Sequence, residues 1–279
     1  MTQDDDLPGD DDQYVVPEEV TNLVRLYDAM LGGKDNYEND REVRDRLTLI
    51  APGLSEMSQD IHNFLLRATR FLAAEAGIRQ FLDCGPALPS TENMHDVVLR
   101  ANTEATIVYV AKDPLTLAHG RALLAGNDQA RILEADLRDP QDVIGNPTVR
   151  KYIDFSEPVA LCHAGTMNYI VDEWDPWRIM AELTAACAPG SYVVFAHLLD
   201  PGPDHEFAES ILRLQAAFQS ASLLTIQFRP IDRITDMLAG LEILEPGLVP
   251  VADWWPDGPR TQPLAPIRQL LIGGIARKP

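Results

Sequence analysis

The sequence predicts an α/β protein with a mostly parallel sheet covered by helices on both faces. From residue 80 onward, short apolar runs alternate with helix-like segments, and repeated strand–helix units are typical of such sheets. The first run ends in an acid and a glycine, Asp83-Cys84-Gly85, and open α/β sheets bind ligands at the carboxyl ends of their strands. A chain of 279 residues that is 46% hydrophobic can bury one large core. We therefore expect one sheet whose carboxyl edge carries the functional site.

The segment that precedes this sheet is predicted to be helical. Apolar residues at i, i+3 and i+4 spacing predict a helix over 17–31, which ends at Gly32-Gly33. Two more helices are expected at 38–49 and 57–76, and Gly77 is suited to close the later one. Together these three helices would form a lid or cap over the sheet.

Strands and helices alternate through the rest of the chain. Runs rich in apolar and β-branched residues predict strands at 80–83, 106–110, 130–134, 159–164, 191–197 and 269–275. Helices are expected at 94–100, 114–124, 176–186, 206–220 and 231–238, and helical signals at 139–152 are broken at 145–147. Short segments at 224–229 and 241–244, followed by an ordered irregular loop at 253–266, lead to the last strand.

Composition and charge narrow the class of protein. The chain has 23 Lys and Arg against 43 Asp and Glu, a formal net charge of −20, which would repel the phosphate backbone of nucleic acids. We find no signal-peptide pattern at the N-terminus and no apolar run of membrane-spanning length. The three cysteines lack the spacing of a disulfide framework or a metal site. These features predict a cytoplasmic protein with no nucleic-acid partner, no membrane and no metal.

Three regions are expected along the chain. Six aspartates lie within residues 4–12, which indicates a disordered acidic tail over 1–16. A calcium site in this run is disfavoured, because the ligand spacing of an EF-hand loop is absent. The helical cap would cover 17–78 and the α/β domain 79–279.

The turn after the first strand carries the strongest chemical signal. Asp83 can accept hydrogen bonds from a cationic amine, and Gly85 allows the backbone to approach a ligand closely. A dinucleotide site would have G-x-G-x-x-G here, whereas this turn has one glycine and two prolines. Phosphate binding and a nicotinamide-dependent dehydrogenase are therefore disfavoured. A tight turn without a ligand is the alternative.

The ends of the second and third strands are candidate contacts for a nucleoside. An acid at the second strand's end would accept the two hydroxyls of a ribose, but Ala111 occupies that position. Asp113 lies two residues on and would either reach the ribose or cap the next helix. Asp136 suits an adenine amino group and Leu137 suits the face of the ring, although a solvated loop explains the same residues.

Two other segments are candidates for function. His163 lies near the end of the fourth strand, where it would be a general base or a buried structural histidine. The loop Gly32-Gly33-Lys34-Asp35-Asn36-Tyr37 combines two glycines with several hydrogen-bonding side chains. A turn explains the glycines, and a lid over a substrate or cofactor would explain the whole set.

These motifs together resemble a largely uncharacterised family of class I S-adenosylmethionine-dependent methyltransferases. Its members carry segments like RVYDYLLGGKDNF, LDIGTGLPT, YVDNDP and ADLRDP. The corresponding segments here are RLYDAMLGGKDNY (25–37), LDCGPALPS (82–90), YVAKDP (109–114) and ADLRDP (135–140). Asn93 and His95 match the family's N-x-H, and 245–247 and 254–257 resemble its EPG and WRPD elements. The resemblance runs over nearly the whole chain.

The resemblance implies a Rossmann-like class I methyltransferase fold, a seven-stranded sheet that ends in an antiparallel hairpin. S-adenosyl-L-methionine would lie across the carboxyl ends of strands one to four. The family motifs would place the following residues against the cofactor: Asp83, Gly85 and Ala87 at the methionine and ribose, Asp113 at the ribose edge, Asp136 and Leu137 at the adenine, with Asn93, Lys34 and Asn36 completing the set. His163, Tyr169 and Lys34 are the candidates to position or deprotonate an acceptor.

Two positions depart from the family pattern. The family's second loop glycine is Ala87, and its ribose-binding acid is Ala111. Losing one hydrogen bond to a ligand hydroxyl costs roughly 1 kcal/mol, so the cofactor would bind more weakly. The main hypothesis is methyl transfer to a small-molecule acceptor that the sequence does not name. The alternative is a non-catalytic, methyltransferase-like protein that binds a ligand or partner. The oligomeric state is left open.

Overall fold

The computed structural model describes residues 20–87, 92–221, 223, 225–260 and 262–279. The predicted acidic tail, 1–16, lies outside the described residues, as do the first three residues of the predicted cap. All statements below concern the described residues.

Three helices precede the sheet, as expected. They are α1 (Leu23–Leu31), α2 (Glu38–Ile50) and α3 (Leu54–Ala74). Helix α1 begins later than the predicted residue 17, because the side chain of Asn22 accepts hydrogen bonds from the first backbone amides and caps the helix there. It ends at Gly32, whose left-handed conformation (φ 77°) suits a C-terminal cap.

The sheet contains eight strands among the described residues. They are β1 (Gln80–Asp83), β2 (Thr106–Ala111), β3 (Ala130–Glu134), β4 (Ala160–Ala164), β5 (Tyr192–Leu198), β6 (Glu242–Ile243), β7 (Val249–Pro250) and β8 (Leu271–Arg277). The later helices are α4 (Met94–Ala101), α5 (Pro114–Leu123), α6 (Pro140–Ile144), α7 (Pro147–Tyr152), α8 (Pro176–Ala186), α9 (Ala208–Ser220), α10 (Ile231–Asp236) and α11 (Pro266–Gln269). Two 3₁₀ turns follow β4, at Thr166–Tyr169 and Asp172–Trp174.

The strand order is β3-β2-β1-β4-β5-β8-β6, with β7 also paired to β8. Strands β1 to β5 are parallel, and β8 runs antiparallel to β5, β6 and β7. The α/β class and the antiparallel C-terminal strands are confirmed. The expected count of seven strands is wrong, because the partner of β8 is divided into two short pieces. Pro246 cannot donate a ladder hydrogen bond, and Gly247 turns the chain at φ 90°.

The sheet is buried between two apolar layers. Side chains of alternate strand residues point to opposite faces, so Phe81 lies in the same apolar cluster as Phe64 of α3 on one face, while Leu82 lies in the cluster on the other. Trp254 is fully buried and meets the ring of Phe64 edge to face at 5.3 Å. The cap and the sheet thus share one core, which fixes α1 and α3 beside the carboxyl edge of the sheet.

Candidate functional site

A cavity of about 610 Å³ lies at the carboxyl edge of β1 to β4, with α1 and α3 along one side. This volume falls within the roughly 300–1,000 Å³ that is usual for small-molecule sites. Eight of the predicted site residues line the cavity: Asp83, Gly85, Ala87, Asn93, Asp113, Asp136, Leu137 and Tyr169. Lys34, Asn36 and His163 are not among the lining residues.

Asp83 ends β1 and is the most deeply placed acid of the cavity wall. Its side chain is buried, with 4% of the residue exposed. Burial disfavours the carboxylate and raises its pKa to about 7, although a hydrogen bond from the Gly85 amide acts in the opposite direction. A carboxyl group that titrates near neutrality can hold a cationic ligand group and exchange a proton with it.

Gly85 is required by the backbone and by packing against the loop after β4. Its φ is +155°, and an added Cβ would lie 2.4 Å from Oγ1 of Thr166. That hydroxyl is itself buried without a hydrogen-bond partner among the described residues. The glycine therefore brings the turn after β1 against the loop after β4, and the free hydroxyl marks a place for a polar ligand atom.

Substituting Gly85 by alanine is expected to lower the free energy of unfolding by about 1–3 kcal/mol, because the Cβ meets Thr166 in a strained backbone conformation. Urea denaturation measures the effect. In a Thr166→Ala background, where Oγ1 and the methyl group are gone, the same substitution should cost less. Equal costs in the two backgrounds would show that the contact with Thr166 is not the cause.

Asp113 caps helix α5. One carboxylate oxygen accepts from the amide and hydroxyl of Thr116, at 2.8 and 3.1 Å, and the other accepts from Nδ2 of Asn22 at 2.9 Å. The capping role that the sequence left open is thus observed. The bond to Asn22 also ties the start of α1 to the edge of the cavity. A ribose contact by Asp113 stays a prediction, and it would share an oxygen that is already bonded.

Asp136 is held by two cations. Its carboxylate accepts from Nζ of Lys112 at 2.6 Å and from the guanidinium and amide of Arg138. The hydrogen bonds from Arg138, followed by those from Lys112, hold the pKa of this carboxyl well below its usual range. Arg138 also lies over the ring of Trp174, with 4.6 Å from its central carbon to the ring centroid. The adenine contact predicted for Asp136 would have to form beside these bonds.

Asn93 begins helix α4 in a capping box, in which its amide donates to the Asp96 carboxylate at 2.9 Å. The following motif residue, His95, is buried, and its Nδ1 lies 2.9 Å from the hydroxyl of Tyr109 on β2. The N-x-H motif thus fixes α4 against the sheet. Both of its polar residues line the cavity.

The loop 32–37 folds around the buried carboxylate of Asp28. Oδ2 of Asp28 accepts from the amide of Asp35 at 2.8 Å and from Nδ2 of Asn36 at 2.7 Å. A Cβ on Gly33 would overlap Asp28, lying 1.9 Å from Oδ1. The glycine and Asn36 therefore have a structural role, while the side chain of Lys34 is exposed. Neither Lys34 nor Asn36 lines the cavity. The cofactor contacts predicted for both residues, and the catalytic role predicted for Lys34, therefore have no support from their positions.

His163 lies in the core and is not among the residues that line the cavity. The residue is fully buried, and neither ring nitrogen has a hydrogen-bond partner among the described residues. Burial lowers its pKa to about 4, so the imidazole is neutral at pH 7. The arrangement corresponds to the buried structural histidine that the sequence left open beside the general base.

Substituting His163 by leucine is expected to leave ligand binding unchanged and to reduce acid sensitivity. Because the folded pKa lies below the unfolded value of 6.5, the unfolded state takes up a proton first and stability is lost as pH falls from 6.5 to 4. One such histidine accounts for about 3 kcal/mol of that loss. Denaturation midpoints at pH 7 and pH 4.5 measure it; a leucine variant that is as acid-sensitive as the native chain would contradict it.

Two tyrosines lie near each other at the cavity wall. Tyr27 on α1 donates its hydroxyl proton to the Ser58 carbonyl at 3.0 Å. Tyr169 lies in the first turn after β4, and burial raises its pKa to about 12. Burial, followed by the nearness of Tyr169, raises the pKa of Tyr27 as well. Both phenols stay protonated at neutral pH, so they serve as hydrogen-bond donors and not as bases.

A buried arginine that the sequence analysis did not single out anchors the turns after β4. Arg229 donates to the carbonyls of Met167 and Ile170, at 3.0 and 2.5 Å, and to Oδ1 of Asp172 at 2.8 Å. It also donates to Nε2 of His197 at 2.8 Å. Since arginine only donates, His197 carries its proton on Nδ1, which lies 2.9 Å from the Leu198 carbonyl.

Comparison with known proteins identifies the family. A sequence model of a family described as S-adenosyl methyltransferase matches residues 11–279. The chain belongs to the S-adenosyl methyltransferase family. The structure of a candidate methyltransferase from Thermobifida fusca is 39% identical to this family member, with a TM-score of 0.86, and the match covers 93% of this chain and 96% of that one. A DUF574 family protein from Streptomyces avermitilis is 31% identical, with a TM-score of 0.86 and coverage of 94% and 99%.

The search of curated proteins finds no match for this S-adenosyl methyltransferase family member. Among its described residues, no helix is long and apolar enough to cross a membrane. Within the same residues there is no group of three or more His, Cys, Asp and Glu side chains that could hold a metal ion. The resemblance stated from the sequence is thus confirmed at the level of the family.

Proposed function

We propose that this protein is an S-adenosyl-L-methionine-dependent methyltransferase that acts on a small molecule. The observation that carries the proposal is the cavity at the carboxyl edge of β1 to β4, with the buried acid Asp83 in its wall. This is the position at which open α/β sheets bind ligands. Membership of the family supports S-adenosyl-L-methionine as the cofactor.

The lining residues fit the methionine end of the cofactor better than its ribose. Asp83 supplies an acceptor for a cationic amine, and Oγ1 of Thr166 is buried without a partner among the described residues. Gly85 and Ala87 would lie along the methionine, and Leu137 would cover the adenine. At the ribose, Ala111 offers no acceptor, and Asp113 is already bonded to Asn22 and Thr116.

When bound, the cofactor supplies an electrophilic methyl group, and the protein has to place an acceptor atom in line with it. Tyr169 lines the cavity, and its hydroxyl can donate a hydrogen bond that orients the acceptor. The predicted base His163 lies outside the cavity wall, so a role for it in deprotonation has no geometric support. Catalysis would therefore rest mainly on proximity and orientation.

Adding S-adenosylhomocysteine, the demethylated cofactor, tests the proposal directly. A ligand at 100 times its dissociation constant stabilises the folded state by about 2.7 kcal/mol. For a protein of this size we expect the melting temperature to rise by roughly 5–10 °C. The absence of any rise at millimolar ligand would refute the proposal and leave the non-catalytic alternative.

Substituting Ala111 by aspartate is expected to tighten cofactor binding. Ala111 ends β2 and lines the cavity, so a carboxylate there can accept hydrogen bonds from ribose hydroxyls. Bonds to a charged group contribute about 1.5–3 kcal/mol, or roughly 10–100-fold in the dissociation constant. Isothermal titration with S-adenosylhomocysteine measures the gain, and Ala111→Asn is the uncharged control. Unchanged affinity in the aspartate variant would show that the ribose does not lie at β2.

A further inference from the structure

The ionised residues of the cavity wall are confined to one half of the sheet. All of the Asp, Glu, Lys and Arg residues among the described lining residues lie at the end of β1 or in the segments that follow β2 and β3: Asp83, Lys112, Asp113, Asp136 and Arg138. In the strand order β3-β2-β1-β4-β5-β8, these three strands are consecutive. One half of the cavity is therefore polar and charged. The proposed function places the cofactor in this charged half.

The other half is apolar and carries no ionised side chain among its described lining residues. We call it the apolar half, formed by side chains from α1, α3, β5, α9 and the segment after α9: Tyr27, Met30, Met57, Leu198, Phe218 and Ile226. Apart from Tyr27, each is less than 10% exposed. A ligand that enters this half exchanges water for hydrocarbon on most of its surface.

Charged groups lie near the apolar half, but they are paired with each other outside the wall. Asp60 on α3 binds the guanidinium of Arg268 through both oxygens, at 2.7 and 2.9 Å. Arg229 is bonded to Asp172 and to backbone carbonyls. None of these four residues lines the cavity. A charged ligand would thus find no counter-ion in the apolar half.

The polar groups in and beside the apolar half are few and neutral. Ser58 and His62 on α3 also line the cavity: the Ser58 hydroxyl donates to the Leu54 carbonyl at 3.2 Å, and Nε2 of His62 lies 3.1 Å from the Glu92 carbonyl. Burial lowers the pKa of His62, which keeps its ring neutral at pH 7.

The hydroxyl of Tyr27 is bonded to the Ser58 carbonyl, and Oδ1 of Asn168 accepts from the Leu198 amide at 3.0 Å. The hydroxyl of Tyr169 has no bond to any described residue and remains available as a donor. These few polar groups suit a ligand that is mainly apolar and carries one or two polar atoms.

We infer that the methyl acceptor is a neutral, mainly apolar small molecule, such as a hydroxylated aromatic ring system, bound in the apolar half with its polar atom toward Tyr169. The inference rests on the proposed function, since it treats the charged half as the cofactor's place. Burying an unpaired charge costs far more than burying a hydroxyl. Phosphorylated compounds, carboxylic acids and the cationic side chains of proteins are therefore excluded as acceptors.

Three probes that share a naphthalene ring and differ in charge test the inference: 2-naphthol, 2-naphthoate and 2-naphthyl phosphate. Isothermal titration at pH 7, with and without saturating S-adenosylhomocysteine, gives the dissociation constant of each. We expect 2-naphthol to bind at least tenfold more tightly than either anion. Equal or tighter binding of 2-naphthoate, or no binding of any of the three probes, would overturn the inference.

A substitution in the apolar half gives a second, independent readout. Met57→Lys places a cation on the wall with little change in side-chain length, and Met57→Leu is the neutral control; circular dichroism checks that both variants fold. We expect the lysine variant to bind 2-naphthoate at least fivefold more tightly than the native chain, and 2-naphthol more weakly. An unchanged ratio of the two affinities in a folded lysine variant would mean that the probes bind elsewhere, which overturns the inference.

The two levels of the proposal fail in different ways. If S-adenosylhomocysteine binds and the charged probes bind as well as 2-naphthol, the methyltransferase proposal stands and the acceptor class is wrong. If 2-naphthol is preferred but S-adenosylhomocysteine does not bind, the apolar half is a binding site and the proposed function is wrong.

Discussion

Substituting Arg229 by methionine is expected to lower the free energy of unfolding by about 3–5 kcal/mol, because it leaves several buried acceptors without a donor and each such group costs about 1–3 kcal/mol. The guanidinium is 4% exposed and bonds two carbonyls, a carboxylate and an imidazole. Methionine fills much of the same space but satisfies none of these acceptors. Urea denaturation followed by circular dichroism measures the loss.

The same substitution should also loosen the cavity wall, because Arg229 holds the two turns that carry Tyr169 and Trp174. Arg229→Lys is expected to rescue little, since one ammonium cannot reproduce the geometry of the guanidinium fork. Arg178→Met is the matched control. Its guanidinium pairs with Glu182 on the surface of α8 at 2.8 Å, and such pairs contribute about 0.3–0.5 kcal/mol. An Arg229→Met variant within 1 kcal/mol of the native chain would contradict the anchoring role.

The fold was largely predictable because its strands are short apolar runs between clear breaks. Strands β1 and β3 have the predicted bounds, 80–83 and 130–134. Strand β6 lies within the short segment predicted at 241–244. Strand β7 was not predictable in the same way, since it has two residues and is defined only by pairing with β8. Helix α11 was also missed, because it is a single turn started by Pro266 within a proline-rich segment.

The position of the candidate site was predictable, whereas the state of its side chains was not. Parallel strands bring their carboxyl ends to one edge, so Asp83, Asp113 and Asp136 were expected together from the topology alone. Which of their oxygens are already bonded depends on residues far away in sequence. The hydrogen bond between Asn22 and Asp113 joins positions 91 residues apart, and no local sequence pattern predicts it.

The hydrogen-bond partners of Arg229 could not be predicted from the sequence either. Its bonded partners Asp172 and His197 lie 57 and 32 residues away. The signal that was available is an arginine at the end of an apolar run, before Pro230. A guanidinium at that position must either be paired within the core or point to solvent. The sequence does not identify the residues that pair with it.

Substituting Asp83 by asparagine is expected to weaken S-adenosylhomocysteine binding by roughly 10–100-fold, the equivalent of one hydrogen bond to a charged group. The amide keeps the shape of the carboxyl but cannot neutralise a cationic amine. Isothermal titration at pH 8 measures the loss. Asp128→Asn, at a fully exposed position in the bend before β3, is the matched control and should change neither affinity nor stability.

Asp83 also links stability and binding to pH with opposite signs. Its folded pKa of about 7 lies above the unfolded value of 3.8, so the unfolded state loses its proton first and stability falls as pH rises from 4 to 7. The full cost above pH 7 is about 4 kcal/mol, and Asp83→Asn should recover most of it at pH 8 and none at pH 4. Binding needs the ionised carboxylate, so native affinity should fall about fivefold between pH 7 and pH 6, as the ionised fraction of Asp83 falls. The asparagine variant should bind weakly at both values, and an equal pH dependence in the two proteins would remove Asp83 from the cofactor site.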